Sequence, residues 1–141
     1  DVSDVNNLKE IDTYEMGDSG SDSIALNDHK AFLFSGKKNL LVVPVTLRER
    51  TTEDRYSSTT TQGAMVFTLT KEGFTFRKQI DHSEAAGDSS RISAEGYSYY
   101  DTTVKRSLYI NEMLYTVSTK YVKMHNLDSL NEVKSVTLGA P

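Results

Sequence analysis

Apolar and polar positions alternate with a period of two along most of the chain, and β-branched and aromatic residues fill the alternating runs. This suits half-buried strands, because successive side chains of an extended backbone point to opposite faces. Helical periodicity is scarce. Between His29 and His82 the pattern predicts four strands. Lys30–Phe34 meets Leu40–Leu47 across Ser35-Gly36-Lys37-Lys38-Asn39, and Ala64–Leu69 meets Phe74–Ile80 across Lys71-Glu72-Gly73. Each connection contains the glycine that tight hairpins favour. A shorter set follows at Val104–Ile110, Met113–Val117, Tyr121–Leu127 and Glu132–Leu138, with turns at Asn111-Glu112, Ser118-Thr119-Lys120 and Asp128-Ser129. The expected fold class is therefore all-β, with antiparallel four-stranded meanders in tandem, and two similar meanders are a repeat signal.

The first residues read as a further half unit. Asp1-Val2-Ser3-Asp4 resembles the end of one strand and its turn, and Glu10–Met16 the strand after it. The stretch from Asn126 to Val136 has the same order: an Asx-rich turn, a leucine beside asparagine, then an alternating strand starting at glutamate. Pro44 interrupts an otherwise clean strand. Proline cannot donate to a ladder, so a bulge or kink is expected there, with a strand ending at Val43 as the alternative.

Composition narrows the partners. With 141 residues and 37% hydrophobic content the chain supports one domain with a modest core. A net charge of −4 argues against a nucleic-acid binder, which needs a basic surface to release counterions. The absence of cysteine removes disulfides, thiolate metal sites and cysteine nucleophiles. No run approaches the length of a membrane helix, and a start at Asp1-Val2 is expected of a piece of a longer protein.

Several motifs, taken in order, resemble one family. They are Asp1-Val2-Ser3-Asp4 with Lys9-Glu10-Ile11; Asn27-Asp28-His29-Lys30-Ala31-Phe32-Leu33-Phe34; Lys38-Asn39-Leu40-Leu41-Val42-Val43-Pro44-Val45; and Arg106-Ser107-Leu108-Tyr109-Ile110 followed by Leu114-Tyr115-Thr116-Val117-Ser118. Together they resemble the secreted β-propeller family, mostly archaeal and bacterial, that is distantly related to WD40 repeats. One departure is Val5 and Leu8, in a turn where the family usually has prolines. The resemblance implies blades: residues 1–16 end a preceding blade, 17–82 form a full blade with its leading loop, 83–103 link, and 104–138 form a second blade. It also implies an extracellular or cell-surface location. A closed propeller uses four or more blades, so the remaining blades of a parent chain, or self-association of this one, are the expected cover for exposed edges.

In an up-and-down blade the connections alternate between two ends. Gly17–Asp28, Arg48–Gly63 and Ser83–Thr103 are long and polar, and this rule puts them at one end, where a rigid scaffold would hold a binding site. The plainer reading of Ser57-Ser58-Thr59-Thr60-Thr61 is a polar insertion. Tyr97, Tyr99, Tyr100 and Asp101 form a polar-aromatic cluster able to present flat amphipathic area to a sugar or a protein, or else to lead into the next strand. Asp28 and His29 are a second ligand candidate, with a turn-ordering histidine as the alternative. Asp18, Ser21 and Asp22 offer oxygen ligands of the kind calcium takes, though the spacing is not that of an EF-hand and a solvated turn is the plainer reading. No His-Glu-x-x-His or Gly-x-Ser-x-Gly motif occurs, and three histidines do not make a catalytic triad.

These observations lead to an expected function: a non-catalytic surface or secreted module that contacts protein or glycan through its long-loop end. Two others compete. One is a share in a propeller hydrolase or oxidoreductase whose site draws on further blades, and the other is a purely structural pair of blades.

Overall fold

A computed structural model describes residues 1–50, 58–83 and 102–139. Eight strands form two antiparallel sheets. The first holds β1 (Leu33–Ser35), β2 (Leu40–Arg50), β3 (Ser58–Thr70) and β4 (Gly73–Asp81); the second holds β5 (Arg106–Ile110), β6 (Met113–Val117), β7 (Tyr121–Asn126) and β8 (Glu132–Thr137). In each sheet spatial order follows chain order, so both are simple meanders. The only helical element among the described residues is a 3-10 turn at Ile24–Leu26, capped by the Ser23 hydroxyl. Asn39 and Asn111 take the left-handed backbone conformation at matching turns, where asparagine is among the residues that tolerate it best.

The sheets pack face to face. Leu40, Val42, Ala64, Val66 and Ile80 of the first meet Leu114 of the second, with Val104, Leu127 and Leu130 from its connections, in one buried cluster. Burying a side chain of this kind is worth about 1.5–3 kcal/mol, so this shared core is the main bond between the two sheets. Val45, Leu47, Met65 and Phe67 form a second cluster on the far face of the first sheet.

Both sheets break register at the same place. The pairing of the third and fourth strands shifts between Val66 and Phe67 in one sheet and between Met124 and His125 in the other. The bulge expected at Pro44 is absent: β2 pairs with β3 without a shift from Leu40 to Arg50. The reason lies along the other edge of β2. β1 pairs only as far as Val42, so the donor that proline lacks would face a position with no strand. Ser23 Oγ donates to the Pro44 carbonyl there.

Two further expectations change. The segment Arg48–Gly63 is not one long loop. Arg48, Glu49 and Arg50 pair with Thr60, Thr59 and Ser58, so the hairpin extends past the core as a polar overhang. Threonine is β-branched and fits an extended ladder even where nothing apolar is buried. Glu10–Met16 forms no strand, because no third strand of a preceding blade lies beside it among the described residues. Instead Tyr14 packs on Phe67 and Phe76, Met16 joins the second cluster, and Asp12 accepts a hydrogen bond from the Phe74 amide.

Candidate functional site

The long-loop end is built on β2. Beyond its pairing with β1, this strand is covered by residues 17–23, which imitate a neighbouring strand. Asp22 and Thr46 exchange both main-chain hydrogen bonds, and the Asp18 amide donates to the Arg48 carbonyl. Side chains complete the edge: Arg48 N–H donates to Ser21 Oγ at 3.0 Å, and Arg50 N–H donates to Asp18 Oδ2 at 2.9 Å. Asp22 Oδ1 accepts from the Ser23 amide. The three residues considered for calcium therefore direct oxygens to main-chain N–H groups, and no cluster of three acidic or histidine side chains occurs among the described residues.

Asp28 lies where the two sheets meet at their first strands. Arg106 Nη1 donates to its Oδ2 at 2.8 Å, and the Lys30 amide donates to its Oδ1. The Lys30 amide first, and the Arg106 guanidinium second, hold the Asp28 carboxyl below the ordinary carboxylate range. His29 beside it is exposed. The structure thus separates this pair: Asp28 joins the sheets, while His29 faces solvent. Tyr97, Tyr99, Tyr100 and Asp101 lie outside the described residues.

A buried polar cluster, which sequence reasoning missed, lies between the sheets just beyond β4. His82 is fully buried, with Nδ1 3.0 Å from Ser118 Oγ and Nε2 2.8 Å from Thr116 Oγ1. The Tyr121 and Lys120 amides both donate to Ser118 Oγ. The Tyr121 carbonyl, 3.3 Å from that Oγ, and the closer Nδ1 compete for its one hydrogen; given to Nδ1, it leaves Nε2–H to donate to Thr116. An imidazolium would need two acceptors and find one already filled by donors. Burial is the larger effect, and together with the nearby Lys123 charge it lowers the His82 pKa to about 4.

Nearby, Gln62 Oε1 accepts from both the amide and the hydroxyl of Thr102. A serine against a histidine suggests a nucleophile, but His82 and Thr116 are fully enclosed and Ser118 nearly so, leaving a substrate no approach. The cluster holds the sheets together. Its sequence signal was Thr116 and Ser118, two hydroxyls two residues apart on one face of an otherwise apolar strand, which implies a polar partner opposite.

At the tight-turn end, cations of the first sheet fasten the second. Arg77 Nη2 donates to the carbonyls of Leu127 and Asp128 at 2.9 and 2.6 Å, and Lys78 Nζ to that of Leu130 at 2.7 Å. Lys38 bridges to Glu112, and the hydroxyls of Ser35 and Tyr109 share a hydrogen bond. Ties therefore run the full width of the interface.

Two four-stranded meanders stacked face to face, each with its fourth strand outermost, have the form of adjacent propeller blades. No curated protein and no solved structure was found to match the chain. A sequence model of the beta propeller domain matches residues 1–130, nearly the whole chain. The chain belongs to the beta propeller domain family.

Proposed function

We propose that this chain is a non-catalytic interaction module, secreted or at the cell surface, that contacts protein or glycan through its long-loop end. The observation that carries the reading is the pinned overhang. Arg48–Arg50 and Ser58–Thr60 project past the core as a paired hairpin, and residues 17–23 brace its free edge. Arg48, Glu49 and Arg50 are exposed on it. A braced hairpin presents polar groups with little ordering left to undergo on binding, which favours recognition. The enclosed His82 cluster is absorbed in joining blades, and this supports binding over catalysis. The secreted or surface location rests on the family resemblance of the sequence motifs.

The test is direct binding of the chain to a glycan array and to purified cell-envelope proteins, with two variants compared. Glu49→Ala combined with Arg50→Ala alters the overhang, and Lys38→Ala alters the opposite end. Tenfold weaker binding by the first, with the second unchanged, supports the proposal. Equal effects of the two, no binding at all, or turnover of ester or glycoside substrates would overturn it.

A further inference from the structure

Gln62 sits at the base of the overhang, on the face of β3 that carries Ala64 and Val66 into the shared core. It is the point at which the connection between the two blades both leaves and returns. On the leaving side its main chain is engaged. The His82 amide donates to the Gln62 carbonyl at 2.7 Å, the Gln62 amide donates to Ser83 Oγ at 2.8 Å, and that hydroxyl donates to the same carbonyl at 3.5 Å. On the returning side its side chain is engaged: Oε1 accepts from the Thr102 amide at 2.8 Å and from the Thr102 hydroxyl at 2.6 Å. A main-chain amide only donates, so the Gln62 atom that meets it is the oxygen.

Both ends of the connection are sunk in the joint. His82 is fully buried, Thr102 is 2% exposed, and Val104, just beyond it, belongs to the shared core. Polar groups as enclosed as those of Thr102 need partners, and Gln62 Oε1 serves its amide and its hydroxyl together. Ser83 and Thr102 are therefore separated by one glutamine and two hydrogen bonds of 2.8 Å each. About four extended residues, at about 3.3–3.6 Å each, cover that distance.

We propose that Gln62 is a positioning residue that roots both ends of this connection, so that residues 84–101 can be exchanged or removed while the blade pair keeps its structure. The cost of closing a loop grows only with the logarithm of its length, so once both roots are fixed the joint places little demand on what lies between them. The chemistry carried at this end of the molecule can then change without rebuilding the joint. The inference is independent of the reading of this end as a binding surface.

Urea melts and amide hydrogen exchange test this, and neither involves a ligand. A chain in which Gly-Ser-Gly-Ser replaces residues 84–101 is expected to melt at the parent's urea midpoint or above it, with exchange in β3 and β6 unchanged. Gln62→Leu keeps the bulk and removes the acceptor. It should lower the midpoint of both the full and the shortened chain, and in the full chain speed exchange of the Thr102 amide at least about tenfold. Gln62→Glu, whose carboxylate accepts the same two bonds, should restore most of both. A shortened chain that melts well below the parent or fails to fold, a Thr102 amide indifferent to Gln62→Leu, or Gln62→Glu behaving like Gln62→Leu would each overturn the proposal.

Discussion

Acidification should loosen the joint between the blades, and His82 sets where. In the folded chain its pKa falls from 6.5 to about 4, because burial first, and the nearby Lys123 charge second, disfavour the imidazolium. The unfolded chain, with an ordinary histidine, binds the extra proton first as pH drops. Stability from this group is complete above pH 6.5 and is lost as pH falls toward 4, below which both states are protonated and the loss stops. A difference of this size corresponds to about 3 kcal/mol, with a slope of at most about 1.4 kcal/mol per pH unit. Burial also lowers the pKa of His125, so it adds in the same direction. Urea melts between pH 7.5 and 4 would measure the change, with His82→Gln as the comparison. Glutamine cannot take up the proton, and carboxylates that titrate in this range cancel between the two proteins. The variant is expected to be less stable at neutral pH and to lose about 3 kcal/mol less than the parent on acidification. Parallel pH profiles would refute the assignment of His82 as the buried neutral link.

Three further outcomes follow from the geometry. Arg77→Ala, which removes the donor to two turn carbonyls, should cost about 1.5–3 kcal/mol in urea melts, and Arg77→Lys should recover only part of it. Gly63→Ala should cost at least about 1–3 kcal/mol, because a Cβ there would run into the Ile80 carbonyl oxygen across the β3–β4 ladder; a melt unchanged from the parent would contradict that close approach. Excess calcium or a chelator should leave the melting temperature where it was, since Asp18 and Ser21 already serve the β2 edge, and a rise of several degrees with calcium would reinstate a cation site.

Alternation and turn residues were enough to find the eight described strands; in β2 the period of two is the direct imprint of burial, whereas β8 is exposed along its whole length and is marked by its sequence pattern and the turn before it. Errors arose where burial was not the cause. The overhang at Arg48–Arg50 and Ser58–Thr60 has little apolar content and is paired because residues 17–23 brace it, a contact between segments that no local pattern records. Pro44 was misread for a related reason. A proline in a central strand is costly only if the neighbour its N–H would face needs that donor, and the start of β1 as late as Leu33 was not visible in the run from Lys30 to Phe34. His82 was legible as a histidine at a strand end but not as a link, since Thr116 and Ser118 lie more than thirty residues further on.

The two meanders share their strand order and a register shift between third and fourth strands, which sets off the residues in which they differ. At the end of each fourth strand the next amide donates back to the blade's own third strand: His82 to Gln62 in one, Leu138 to Lys120 in the other. The backbone geometry is the same and the side chain is not. His82 needs two hydroxyls opposite, and the second blade supplies them as Thr116 and Ser118. Leu138, at the corresponding place in the second blade, has an apolar side chain and is 37% exposed. Residues 10–16, which follow the initial turn as β8 follows the later one, end in Tyr14 and Met16, and both pack on apolar residues of the first blade. The joint at His82 is therefore a polar variant of a contact that the fold makes elsewhere with apolar groups. Because its acid sensitivity comes from a side chain and not from the architecture, one substitution is enough to separate the two.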